Sequence, residues 1–196
     1  MAAKLLVMAV FVPSAASAYD LSVTKVGKTY HAFAVAHVNA APEAVHAALL
    51  DFSHFTELSP NITVVRVLRR PDPASAVVYM EVRSCVLIFC ETLKQQKKFT
   101  EPSATRIMAI TLPDGSNVRK GSDSWTVTPE GRGSRLQWAA AVEPDFRLPT
   151  LVGTAFIRRE LEDQGRSFIQ GIERLARSKE AAGRWSMVCR GRTALE

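Results

Sequence analysis

A long amphipathic segment near the C-terminus, Leu148 to about Ser178, constrains the chain more than any other feature. Leu151, Ile157, Leu161, Phe168, Ile172 and Leu175 recur at helical spacing, while Arg158, Arg159, Glu162, Asp163, Arg166 and Arg174 occupy much of the other face. A single helix of about thirty residues spans roughly 45 Å. Pro149 suits its first turn, and Gly183 lies just past its expected end, with Arg177 and Lys179 nearby. An apolar stripe of that length needs a surface to lie on. The sequence before it is mostly strand-like, so the expectation is a curved antiparallel sheet closing around a terminal helix.

The strands follow from alternation. From Lys28 to Asn39, Tyr30, Ala32, Ala34, Ala36 and Val38 share one face, and His31, Phe33, Val35 and His37 the other. Ala41-Pro42-Glu43 opens a short helix through Leu50, and a second helical turn ends near Ser59-Pro60-Asn61. Strands are then expected over Ile62 to Arg69, Val77 to Cys85, Cys90 to Phe99, Ala104 to Leu112, Val118 to Pro129 and Ser134 to Val142. Glu130-Gly131-Arg132-Gly133 joins the last two as a glycine-rich hairpin. The order is one strand, two small helices, six strands and the long helix, with no internal repeat. Residues 181–196 lack a period and are expected to form a poorly ordered tail.

The first 18 residues read as a targeting signal. Lys4 precedes an apolar run from Leu5 to Val12, and Ala16-Ser17-Ala18 is a small-x-small pattern ahead of Tyr19. The run is too short for a permanent membrane span. The mature protein, residues 19–180 plus the tail, is therefore expected to be exported, periplasmic or secreted. The formal charge of +6 includes Lys4, and a basic product of this kind suits anionic surfaces or simple solvation. No RNA-binding or helix-turn-helix signature points to nucleic acid. In an oxidising compartment Cys85 and Cys90 are close enough to staple one hairpin, leaving Cys189 as an odd thiol. Two cysteines alone make no zinc site, so no metal and no cofactor is expected.

Several phrases carry a family resemblance. They are Asn39-Ala40-Ala41-Pro42-Glu43-Ala44-Val45, Asp51-Phe52, Leu58-Ser59-Pro60-Asn61-Ile62, Trp125-Thr126-Val127-Thr128-Pro129 with Gly133-Ser134-Arg135-Leu136, and the closing helix. In this order the chain resembles the START-like or SRPBCC superfamily, and within it the polyketide cyclase/dehydrase and coenzyme Q-binding type. The resemblance implies an α+β helix-grip fold, in which a seven-stranded antiparallel sheet wraps the C-terminal helix, with two short helices after the first strand. It also implies an elongated apolar cavity between sheet and helix. It fixes no function, because the superfamily includes carriers, receptors and cyclases.

The four histidines, His31, His37, His46 and His54, sit in no nucleophile or metal-ligand frame. The cavity is expected to be lined by Tyr79, Trp125, Val127, Leu136, Trp138, Phe156, Leu161, Gly165, Phe168 and Ile172, with plain core packing as the alternative for each. Gly165 costs close to 1 kcal/mol against Ala in mid-helix, so its missing side chain is read as leaving room. Glu81 and Arg83 are candidates for binding a polar ligand head, unless Val78, Met80 and Val82 take the inward face instead. Val86-Leu87-Ile88-Phe89 puts four large apolar residues at a hairpin tip, either buried or making transient membrane contact. The leading reading is an exported monomeric carrier of a lipid or isoprenoid-like molecule. The rivals are a cyclase or aromatase using the same cavity, and an interaction module working through Arg132-Gly133-Ser134-Arg135 or the apolar tip.

Overall fold

The computed structural model describes residues 19–86, 89–145 and 154–192, with side chains described over 19–85, 90–145 and 158–182. Among these residues eight antiparallel strands form one sheet, β1 (Tyr19–Val26), β2 (Thr29–Val38), β3 (Ile62–Asp72), β4 (Ser75–Val86), β5 (Phe89–Ser103), β6 (Arg106–Leu112), β7 (Val118–Glu130) and β8 (Gly133–Pro144). Their spatial order is β1-β2-β8-β7-β6-β5-β4-β3. Helix α1 (Pro42–Leu49), a 3-10 turn (Phe52–His54) and helix α2 (Phe55–Leu58) separate β2 from β3, and α3 (Thr154–Arg192) closes the chain. This is the expected helix-grip fold with one strand more.

The added strand is β1. It pairs with β2 in unbroken register from Tyr19↔Ala36 to Val26↔Thr29, turning at Gly27, where φ is 60°. Its alternation is weak because its outer side, Asp20, Ser22 and Thr24, is exposed and polar, while Leu21 alone is fully buried on the inner side. The helix also departs from expectation at its far end. Backbone remains helical to Arg192, over most of the stretch expected as a tail, and residues 193–196 lie outside the described ones. The targeting segment, the Pro149 helix start and the side chains of Val86, Leu87, Ile88 and Phe89 also fall outside the described residues.

The core gathers under the middle of α3. Ile172 and Ala176 are fully buried there against Val38, Val45, Phe52, Phe55 and Leu58. Gly171 makes this approach possible, since a Cβ at that position would stand 2.4 Å from the Leu58 carbonyl oxygen. A chain of aromatic contacts crosses the core. Phe52 lies 5.1 Å from Phe55 and 4.8 Å from Phe99, Phe99 stacks on Trp125 at 5.8 Å, and Phe55 meets Phe168 edge-on at 6.3 Å. Edge and offset contacts of this kind hold ring positions beyond what burial alone does. Trp125 and Phe168, at the ends of the chain, are fixed before any ligand is considered.

Val127 and Ile172 were expected in the cavity lining, and both are core instead, at 1% and 0% exposure. Tyr79 was also expected inward and points outward. Ala76, Val78 and Met80 take the buried parity of β4, which leaves Tyr79, Glu81 and Arg83 on the convex face. There the Arg66 guanidinium lies 4.9 Å over the Tyr79 ring, and the Tyr79 hydroxyl donates to Glu81 Oε1 at 2.6 Å. Glu81 and Arg83 therefore do not reach the cavity.

Candidate functional site

Between the sheet and the N-terminal half of α3 lies a cavity of about 180 Å³. The sheet side comes from β2 (Ala34 and Ala36), β7 (Trp125) and β8 (Leu136 and Trp138), and the helix side from Leu161, Gly165, Phe168 and Ile169. The alanines on β2 leave space that larger residues would close, while Trp138, the cross-strand partner of Ala34, and Trp125 beside it supply rigid apolar surface on the same sheet. Of the residues expected to line it, Trp125, Leu136, Trp138, Leu161, Gly165 and Phe168 are brought together. Phe156 lies outside the described side chains.

Gly165 does leave room, and a residue of the chain takes it. A Cβ there would stand 2.0 Å from the Tyr19 hydroxyl oxygen, so the phenol of β1 packs on the bare helix backbone. That hydroxyl is buried with no hydrogen-bond partner among the described residues, an arrangement that costs about 1 to 3 kcal/mol until something satisfies it. Burial pushes its pKa up to about 12 even with Arg166 lying over the ring, so the phenol keeps its proton and remains a donor.

One wall is ionic. Asp123 lines the cavity at 7% exposure, and its Oδ2 pairs with Lys97 Nζ at 2.5 Å while its Oδ1 accepts from Trp138 Nε1 at 3.2 Å. Lys97 is equally buried, and neighbouring Gln95 accepts from the Thr111 hydroxyl at 3.3 Å. A buried charge pair is retained at a desolvation cost. Lys97 is not itself part of the lining; it stands behind Asp123 and holds that carboxylate in the cavity wall. Sequence reasoning missed Lys97, Asp123 and Tyr19. The signal was parity: Asp123 lies two before Trp125 on the same strand face, and Lys97 two before the buried Phe99.

At the rim, α3 is tied to the end of β4 by polar contacts. Gln164 Nε2 donates to Ser84 Oγ at 3.1 Å and to Glu160 Oε1 at 2.7 Å, and the Cys85 amide donates to the same Glu160 oxygen at 3.3 Å. Cys85 and Cys90 are cross-strand partners and are joined by a disulfide. Among the described residues no cluster of His, Cys, Asp and Glu could hold a metal ion.

A family model described as polyketide cyclase / dehydrase and lipid transport matches residues 30–178. No curated protein matches the chain in sequence. Among solved structures, the chain is similar to the STAR-related lipid transfer protein from Xanthomonas axonopodis, with TM-score 0.63 and 13% identity, covering 80% of this chain and 97% of that one. It is similar to the Zhui aromatase/cyclase from Streptomyces, with TM-score 0.60 and 14% identity over 76% of this chain and 94% of that one. Human STARD10 superposes with TM-score 0.60 and 12% identity over 83% of this chain and 76% of that one. At such identities the likeness is one of fold.

Proposed function

Since the chain belongs to the polyketide cyclase / dehydrase and lipid transport family, we propose that it is an exported carrier for a hydrophobic small molecule, lipid or isoprenoid-like, held between the sheet and α3. The observation that carries this reading is an apolar cavity with one ionic wall, closed on the far side by fixed aromatic rings. Its volume of about 180 Å³ lies just above the roughly 150 Å³ that holds a benzene and below the roughly 300 Å³ of a drug-sized pocket. It therefore takes a ring or a short stretch of chain, and a longer ligand extends past the Gln164 rim. Burying about 200 Å² of apolar ligand surface stabilises by about 5 kcal/mol, a submillimolar affinity. Tighter binding needs the polar groups, and Asp123, backed by Lys97, and the Tyr19 hydroxyl take the role first expected of Glu81 and Arg83.

Solvent extraction and mass spectrometry of the purified protein, with titration of a fluorescent apolar probe, test the proposal. A co-purifying lipid and a probe displaced by Leu161→Trp are expected. An empty extract together with unchanged probe binding in that variant would sink it. The buried Lys97–Asp123 pair also favours a second reading, a cyclase in which these groups move protons. That reading expects turnover of a reactive polyketone chain that disappears in Asp123→Asn while probe binding persists.

A further inference from the structure

The convex face of the sheet carries charge that the fold does not use. Along β3 to β6, Arg66, Arg69, Arg83, Lys94, Lys98 and Arg106 are exposed. None of them forms an ion pair among the described residues. Strand parity sets their direction: Ala76, Val78 and Met80 on β4 and Gln95, Lys97 and Phe99 on β5 are buried, so Arg83, Lys94 and Lys98 face away from the core. On the same face of β3 to β6 the carboxylates among the described residues are Glu81, which already accepts the Tyr79 hydroxyl, and Asp72 at the far end of β3, which accepts the Ser75 hydroxyl.

Exposed aliphatic side chains flank these cations on β6. Register places Arg69 beside Val77, which is buried at 2% exposure, Val77 beside Lys98 and Lys98 beside the exposed Ile110. The two cations thus stand about 10 Å apart at the usual strand spacing, with Ile110 next in the row. Ile110 is 50% exposed and Met108 36% on the same strand face. Cations beside aliphatic groups fit a phosphate layer with acyl chains beneath it. Nucleic acid is matched less well, because the aromatic ring on this part of the face, Tyr79, is covered by Arg66 and offers no stacking platform. The charged face also reaches the cavity rim: the Arg83 amide bonds the Asn61 carbonyl at 2.8 Å, and Asn61 and Val82 line the cavity.

We infer that this β3–β6 face docks on an anionic lipid surface, its cations meeting headgroup phosphates while Met108 and Ile110 enter the interfacial layer. Each basic residue near such a surface contributes roughly fivefold in partitioning. Flotation of the purified protein is measured with vesicles of phosphatidylglycerol and phosphatidylcholine in equal parts, and with phosphatidylcholine alone. Binding is expected to the anionic vesicles only, to vanish in molar salt, and to fall by at least roughly twenty-five-fold in Arg69→Glu/Lys98→Glu. Arg69→Gln/Lys98→Gln serves if the reversed variant melts early. Leu161→Trp, which alters the cavity, is expected to float as the wild type does, so the carrier reading and the docking reading fail separately. No flotation, equal binding to neutral vesicles, an unaffected charge variant, or tighter retention on a single-stranded oligonucleotide would each overturn the inference.

Discussion

Gly165 and Gly171 lie on the same helix, and one added methyl group should have opposite consequences at the two. At Gly171 the new Cβ meets Leu58 backbone, with its carbonyl oxygen at 2.4 Å and its Cα at 2.5 Å, and backbone held in a core does not yield. Gly171→Ala is expected to destabilise by roughly 2 to 3 kcal/mol in a denaturant titration. At Gly165 the obstacle is the far end of the Tyr19 ring, which can swing into the cavity, and the helix gains close to 1 kcal/mol from alanine. Gly165→Ala should therefore keep its stability within about 1 kcal/mol while losing apolar probe binding. The sequence pointed to the gap at Gly165 but not to its occupant, because β1 went unread. Asp51 carries a second residue-scale prediction. Burial alone would raise its carboxyl, but hydrogen bonds from Lys179, Ser53 and His54 outweigh that and hold it well below the usual range. His54 is raised in turn by its hydrogen bond to Asp51. The Asp51 contribution is thus present above about pH 4 and lost as pH falls through the lowered folded value. The His54 contribution is full below about pH 6.5 and lost as pH rises through its raised value. The melting deficit of Asp51→Asn should be greatest between those limits, shrink above them to what Lys179 and Ser53 supply, and vanish in strong acid. A deficit independent of pH would contradict the assignment.

At the scale of elements, periodicity made most of the fold legible. The inward parity of β2, β7 and β8 and the apolar stripe of α3 are those the structure uses, since half-buried strands and helices must alternate with periods of 2 and 3.6. On β4 the reading was divided, with Tyr79 named in the lining and Val78, Met80 and Val82 as the alternative inward set, and the structure buries Ala76, Val78 and Met80. Interactions between elements left no periodic trace at all. Helix α1 begins at Pro42 with Ala41 as its N-cap, a residue without a capping side chain. Acceptors for the chain entering the helix come from α3: Glu180 accepts the amide of the N-cap residue Ala41 at 2.6 Å, and Glu173 accepts the Asn39 amide, two residues earlier, at 3.1 Å. Glu180 thus serves the end of one helix from another, and Glu173 fixes the residues leading into it, pairings separated by most of the chain and invisible to any local pattern. Glu180→Ala should cost about 1 kcal/mol, the value of an ordinary cap, while Glu180→Gln retains part of it. Chemical denaturation of the two variants measures the difference, and equal stability of Glu180→Ala and wild type would assign the contact no structural role.

Across the whole molecule, the cavity depends on the end of the chain farthest from α3 in sequence. Tyr19, at the head of β1, packs on Gly165 and lines the cavity, while Leu21 forms a second small core with Ala32 and Ala34 against Trp138 and Leu161. If export removes residues 1–18, as the Ala16-Ser17-Ala18 pattern leads us to propose, the new terminus falls at the residue that completes the cavity wall. N-terminal sequencing of the secreted product is expected to begin at Tyr19, and a product still beginning at Met1 would refute processing. Cleavage a few residues later would have a structural cost. A chain lacking Tyr19 to Val26 loses the packing of Tyr19 on α3 and the Leu21 side chain, whose apolar burial contributes about 1.5 to 3 kcal/mol, and uncovers Ala32 and Ala34 on β2. That truncation should melt well below the mature form and release the probe. Deletion of the same strand with stability and binding intact would mean that the sheet from β2 to β3 forms the cavity unaided, and that β1 is an ornament on its edge.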